Sequence, residues 1–142
     1  MPQPGRFMVA VSAVLEHVAS GDVLLLRRAS HLDFAPGMWE DVSGRVHHGE
    51  DPEAALRREV GEETGIQELE VAGLLRTWRT YRGPPEDRFE LIGIAHWCRS
   101  AVRDVLLSNE HDAYRWLRAD EALLLAGTDG IRESIRCVMR RR

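Results

Sequence analysis

The sequence predicts an α/β (α+β) fold, a single domain over residues 1–142 in which helices cover more than one face of a mixed sheet. Three observations carry that expectation. The chain has 142 residues, the length of one ordinary domain and enough to bury about two-thirds of its surface without staples. Its patterned segments run in the order strands, one helix, more strands, then helices. Its two cysteines, Cys98 and Cys137, have neither framework nor metal spacing, so an ordinary core holds the fold and both thiols are expected to be reduced.

Phe7–Val18 (FMVAVSAVLEHV) and Val23–Leu26 (VLLL) are β-rich runs around Ala19-Ser20-Gly21-Asp22, most simply a hairpin. Residues 29–50 contain Pro36-Gly37, Gly44 and Gly49 without a clear period and read as a long ordered loop, a length that in small domains usually marks function. The next segment is a helix with both ends written into it. Asp51 is an N-cap, Pro52 suits the first helical position, and Gly65 after Thr64 supplies a left-handed C-terminal cap. Leu56 and Val60 form its packing flank, and Gly61 is its one poor helix former. Leu69–Tyr81, Phe89–Cys98 and Ala113–Leu117 read as strands, with Trp78, Trp97 and Trp116 as core or half-buried residues. Asp120–Leu125 and the segment from Thr128-Asp129 onward read as helices, and Arg140–Arg142 as a frayed, solvated end.

Residues 50–70 hold eight carboxylates and two arginines, a net −6 in a chain whose net charge is −4, so the remainder is +2. Such a segment needs solvation or a bound cation to relieve its repulsion. At about 100° per residue, Glu62 and Glu63 lie within roughly 60° of Glu59 around the helix, so three carboxylates share a face. One reading is a solvated acidic face. The other is a site for hard divalent cations, held by carboxylates together with substrate phosphates. All 19 basic residues are arginine, which excludes a Schiff-base lysine, a lysine general base and a P-loop lysine. No apolar run approaches the roughly 18 residues needed to cross a bilayer, so no membrane association is expected. The G-x-S-x-G, H-E-x-x-H and calcium-loop patterns do not occur. Three terminal arginines without interleaved aromatics give no sign of a specific nucleic-acid partner.

Gly44, five residues, Glu50, seven residues, then Arg58-Glu59-Val60-Gly61-Glu62-Glu63-Thr64-Gly65-Ile66 matches the Nudix box at all nine defined positions over 23 residues. On this motif the sequence resembles the Nudix hydrolases. Arg27-Arg28 at a strand end and Pro36-Gly37-Met38-Trp39-Glu40 before the box are similar to the small MutT-like members. The box opens on Val42-Ser43-Gly44 where many members have Pro-Gly-Gly. The resemblance implies a Nudix-type α/β/α sandwich and a cytoplasmic enzyme that uses magnesium or manganese. Its reaction would cleave a nucleoside diphosphate linked to a further group, a nucleoside triphosphate or related nucleotide foremost, into a nucleoside monophosphate and the phosphorylated remainder.

The resemblance also implies roles for particular residues. Glu59, Glu62 and Glu63 are expected as catalytic residues and metal ligands, with the carbonyl of Gly44 as a further ligand. Arg58 is expected to orient a carboxylate, with Glu50 as its mate. MutT-like members add a carboxylate six residues before a tryptophan that opens a strand, and Glu110 stands six before Trp116; Glu86, Asp87 and Glu90 stay open for that role. Arg28 matches a phosphate-proximal arginine, and Trp39 either stacks on a substrate ring or packs. His47 and His48 fall in the variable part of the box, which argues against metal ligation. A non-catalytic Nudix-like nucleotide sensor is the alternative from another class, and the complete glutamate set speaks against it. An isomerase of the isopentenyl diphosphate type would want a cysteine near the box, and none is there. The expected partner is a small nucleotide-type substrate; the oligomeric state stays open, a homodimer included.

Overall fold

The computed structural model describes residues 2–142. Among them β1 (Met8–His17), β2 (Val23–Arg28), β3 (Trp39–Glu40), β4 (Val42–Arg45), β5 (Glu70–Tyr81), β6 (Glu90–Ser100) and β7 (His111–Leu117) form one seven-stranded sheet. The helices are α1 (Pro52–Thr64), α2 (Ala119–Leu125) and α3 (Asp129–Arg141). The sheet is mixed. β1 runs parallel to β6 from Met8↔Leu91 to His17↔Ser100, and the remaining pairings described are antiparallel.

Strand alternation divides the core in two. Val11, Ala13 and Leu15 of β1 and Leu24 and Leu26 of β2 pack with Ala55, Leu56 and Val60 of α1. Val14, Val23 and Leu25 face the other way, toward Ala122 of α2 and Ile135 and Val138 of α3. The unbroken VLLL run therefore serves two cores at once, and the result is the α+β sandwich with helices on both faces.

The expected β1–β2 hairpin is reduced to a turn and one rung, Glu16↔Val23. The edge of β1 from Ala10 to Ala13 is taken by β4, so β2 pairs instead with β3 and β7. The sheet forks there. β3 and β4 also replace part of the loop expected over residues 29–50; at two and four residues they are too short to show alternation in the sequence.

At the start of α1, Pro52 takes the first helical position, but the Asp51 side chain makes no capping bond; its carbonyl accepts from Ala55 N at 2.9 Å. At the other end Gly65 has φ +74° and returns its N–H to the Gly61 carbonyl. Thr64 tightens this turn, donating to the Val60 carbonyl at 2.6 Å and accepting from Ile66 N at 3.1 Å. Leu56 and Val60 are fully buried, each contributing about 1.5–3 kcal/mol of apolar transfer. These anchors fix where the adjacent glutamates stand.

The terminal arginines are docked rather than frayed. Glu16 is a buried carboxylate in β1, and Arg99 and Arg142 approach its two oxygens at 3.1 Å each. Burying an unpaired carboxylate is costly, so Arg142 is drawn in, while Arg140 bonds Glu133 and Arg141 reaches the Leu74 carbonyl. Cys98 and Cys137 are free, and burial pushes the Cys98 thiol up to about 12. Among the described residues no helix is long and apolar enough to cross a membrane.

Candidate active site

Beside the fork lies a cleft of about 680 Å³, of the size that holds small ligands. Glu59, Glu62 and Glu63 of α1 line it together with Gly44 of β4 and with Glu110, which precedes β7. A Cβ on Gly44 would stand where the Glu59 carboxylate now lies, so any side chain there would push that carboxylate aside. Strand and helix backbones are thus close enough for the Gly44 peptide and Glu59 to share one spot.

The box fixes its own first half to its helix. Arg58 donates through Nε and Nη2 to Glu50 at 2.7 and 3.0 Å, and through Nη2 to the Arg45 carbonyl at 2.9 Å. Its Nη1 donates to Glu59 at 2.8 Å and reaches Glu62 at 3.4 Å. Glu50 also accepts from His47 N at 3.0 Å. The Arg58 guanidinium, then that backbone donor, hold the Glu50 carboxyl down at about 2, and the bond to Glu50 raises Arg58 above its ordinary value.

The acidic face is not uniformly solvated. Glu62 keeps 58% of its side chain exposed, whereas Glu63 is 5% exposed and its Oε2 has no hydrogen-bond partner among the described residues. Burial, then the charges of Glu59, Glu40, Glu110 and Asp41, push the Glu63 carboxyl up to about 9. Glu59 is raised mainly by burial, with Arg58 opposing.

A second buried network braces the opposite side. Glu40 of β3 accepts from Arg28 Nη1 at 3.2 Å and bonds His111 Nε2 at 2.8 Å. A carboxylate there needs a donor, which puts the imidazole proton on Nε2. The His111 side chain is 1% exposed. Arg28 Nε donates to the Phe34 carbonyl at 2.8 Å, and Ala29 N donates to the Glu110 carbonyl at 2.9 Å. The segment carrying Glu110 is therefore tied to β2 by backbone and to β3 through His111. Sequence reasoning missed Glu40, Asp41 and His111. Asp41 is buried, and that burial with the neighbouring Glu40 pushes its carboxyl up to about 8. The adjacency of His111 to Glu110 was the one local hint.

Other candidates fall elsewhere. Trp39 is turned away from the cleft: it packs against the core under α2 and α3, with Arg27 over its ring at 5.8 Å. Trp78 lines the cleft instead, its indole lying where a Cβ on Gly93 would stand. Glu86 bonds Arg88 and Glu90 bonds Arg79, and neither they nor Asp87 line the cleft. His47 stands at its rim and His48 does not.

The NUDIX domain model matches residues 6–137. The chain belongs to the Nudix family. The RNA pyrophosphohydrolase of Caulobacter vibrioides is 36% identical to this Nudix hydrolase, the match covering 88% of this chain and 81% of that protein. The nucleoside triphosphatase NudI of Klebsiella pneumoniae is 34% identical, with 82% and 85% covered. Among solved structures, the Escherichia coli dihydroneopterin triphosphate pyrophosphohydrolase superposes with a TM-score of 0.77 at 24% identity, covering 94% of this chain and 96% of that one. The MutT protein of Methanosarcina mazei Go1 also gives 0.77 at 24% identity, over 99% of both chains. At such identity the structural likeness speaks for the fold, a MutT-like Nudix sandwich.

Nudix hydrolases generally use a divalent metal, and the donors of this one suit a hard cation. Among the described residues no group of three or more carboxylates, imidazoles or thiols is arranged to hold a metal ion by itself. Magnesium needs none, since it keeps several waters and takes one or two carboxylates plus substrate phosphates. The oxygens of Glu59, Glu62, Glu63 and Glu110, the Gly44 carbonyl and the unpartnered Glu63 Oε2 fit that requirement.

Proposed function

We propose that this Nudix hydrolase acts in the cytoplasm on nucleotides, cleaving the phosphoric anhydride of a nucleoside diphosphate linked to a further group. Nucleoside triphosphates and related nucleotides are the foremost substrates, and a nucleoside monophosphate is one product. The observation that carries this reading is the buried, unpartnered Oε2 of Glu63 among Glu59, Glu40 and Glu110. A carboxylate cluster so placed repels a polyphosphate unless cations lie between them. Magnesium or manganese held by Glu59, Glu62, Glu63, Glu110 and the Gly44 carbonyl would supply charge neutralisation and Lewis acidity to phosphoryl transfer. The protein's own groups position. Arg58 orients Glu59 while anchored on Glu50. Arg28, held by Glu40 and the Phe34 carbonyl, presents a fixed cation to a phosphate oxygen. The names of the two relatives, an RNA pyrophosphohydrolase and a nucleoside triphosphatase, support an anhydride between nucleotide phosphates as the bond cleaved.

The test is a panel of nucleoside triphosphates, nucleotide sugars, ADP-ribose and dinucleoside polyphosphates, assayed with magnesium or manganese and resolved by product. Release of a nucleoside monophosphate that stops in excess chelator is the expected result. Undiminished turnover in chelator would refute the metal-dependent reading, and tight nucleotide binding without turnover would favour the sensor.

A further inference from the structure

The cleft has a basic wall as well as an acidic one. Trp78, Gly93, Ala10 and Arg45 are successive partners across β5, β6, β1 and β4, a single row over the sheet. Strand alternation brings Thr80 and Arg82 onto the same side of the chain as Trp78, and Arg28, Arg45 and Arg82 all line the cleft. Arg28 is paired with Glu40. Among the described residues, Arg45 and Arg82 make no ion pair with any carboxylate: Arg45 Nη1 lies 2.9 Å from Met8 Sδ, and the Arg82 guanidinium stacks on the Phe34 ring at 4.1 Å. Phe34 also carries Arg28 at 5.5 Å, so one ring holds two guanidiniums at the cleft.

This arrangement is the counterpart of the carboxylate cluster. Burial and the like charges of Arg45 and Arg28 lower the proton affinity of Arg82. The carboxylate that offsets this at Arg82, Glu40, is itself occupied by Arg28 and His111. An anion seated against Arg45 and Arg82 relieves the repulsion, and a guanidinium fork recognises phosphate with directed, charge-assisted bonds. With divalent cations bound, the acidic wall would serve the anhydride being cleaved; Arg45 and Arg82, which line the same cleft and pair with no carboxylate among the described residues, offer cations of the protein's own to a further phosphate.

We infer that Arg45 and Arg82 form an anion subsite for a third phosphate, which selects 5′-triphosphates over nucleotides whose second phosphate ends free or carries a neutral group. The inference rests on the pyrophosphohydrolase reading and assigns two residues to its substrate preference.

The experiment compares ATP with ADP and ADP-ribose in magnesium, as KM or, for a compound not turned over, as a competitive Ki. The proteins are wild type, Arg45→Gln, Arg82→Gln, the double variant and Arg79→Gln. Arg79 neighbours the cleft in sequence but is bonded to Glu90 and does not line it, so its loss controls for net charge. The double variant should bind ATP at least about tenfold more weakly, the scale of losing one charge-assisted bond, with ADP and ADP-ribose changed by less than about twofold. Inorganic tripolyphosphate, followed by calorimetry, should weaken in the same ratio while pyrophosphate does not. Equal weakening for all three nucleotides, or none for ATP, would overturn the subsite. Failure of the wild type to hydrolyse any nucleotide would instead overturn the underlying function, and the tripolyphosphate titration would still decide the subsite.

Discussion

Replacing Glu63 by glutamine removes one charge while nearly preserving the shape of a side chain that is 5% exposed. In the metal-free protein its carboxyl is pushed from 4.5 to about 9, by burial first and then by Glu59, Glu40, Glu110 and Asp41. The native chain therefore binds more protons than the unfolded chain between about pH 4.5 and 9. Stability is highest below that window, falls as pH rises through it, and is flat above. At about 1.36 kcal/mol per unit, holding Glu63 protonated in the native chain near pH 8 carries a ceiling of roughly 4–5 kcal/mol. The charge is shared within a coupled cluster, so about 2 kcal/mol is the expected gain for Glu63→Gln in chelator. For a domain of this size that is a rise in melting temperature of roughly 5–8 °C. The glutamine loses the charge a divalent cation wants, so millimolar magnesium should stabilise the wild type and leave the variant nearly unmoved. Turnover should fall at least about a hundredfold, the effect of losing a positioned charge-stabilising group. Melting curves by circular dichroism from pH 5 to 9, with chelator and with magnesium, alongside a steady-state assay, read all of this. A variant no more stable than wild type at pH 8 in chelator, or turnover within about threefold, would refute the reasoning.

Asp41→Asn should flatten the pH dependence of stability between about pH 4 and 8, because burial and Glu40 raise Asp41 from 3.8 to about 8; the expected gain at pH 8 is about 2 kcal/mol, checked by urea unfolding. Gly44→Ala puts a methyl where the Glu59 carboxylate stands and displaces it, so turnover should fall at least about tenfold while stability changes by less than about 1 kcal/mol. His111→Phe leaves Glu40 one donor short in a buried position and should cost about 1–3 kcal/mol; because Arg28 shares that carboxylate, KM should rise more than kcat falls. Glu110→Gln should lower activity while glutamine or asparagine at Glu86, Asp87 and Glu90 leaves it near wild type, since those three lie off the cleft.

The parts of the molecule legible in the sequence are those whose signals are local. α1 has its start and stop within fourteen residues, at Pro52 and Gly65, and its packing flank at Leu56 and Val60 follows from helical period alone. The Arg58–Glu50 pair spans eight residues and fell within the box. Partners far apart in the chain were not legible. The edge of β1 belongs to β4 and β6 rather than to its sequence neighbour β2, and nothing in FMVAVSAVLEHV states that. Arg142 looks like a solvated charge until Glu16, far away in β1, is seen buried without enough cations of its own.

Trp39 shows how a small register choice decides a functional assignment. It stands next to Glu40 in a two-residue strand, and consecutive strand residues point to opposite faces. Their partners in β2 are Arg27 for Trp39 and Leu26 for Glu40. Glu40 faces the cleft, where Arg28 and His111 bond it, and its immediate neighbour points the other way, packs with the second core and does not line the cleft. Proximity to the box suggested the aromatic, but parity selects the carboxylate. The aromatic that does reach the cleft, Trp78, sits on a strand whose face is set by its pairing with Gly93 in β6 and, through Gly93, with Ala10 in β1. Gly93 is what admits the indole, because any side chain there would occupy the same space. Gly93→Ala should therefore displace Trp78 and alter nucleotide KM while Trp39→Phe leaves it unchanged; the opposite pattern would mean that the register of β3 has been misread.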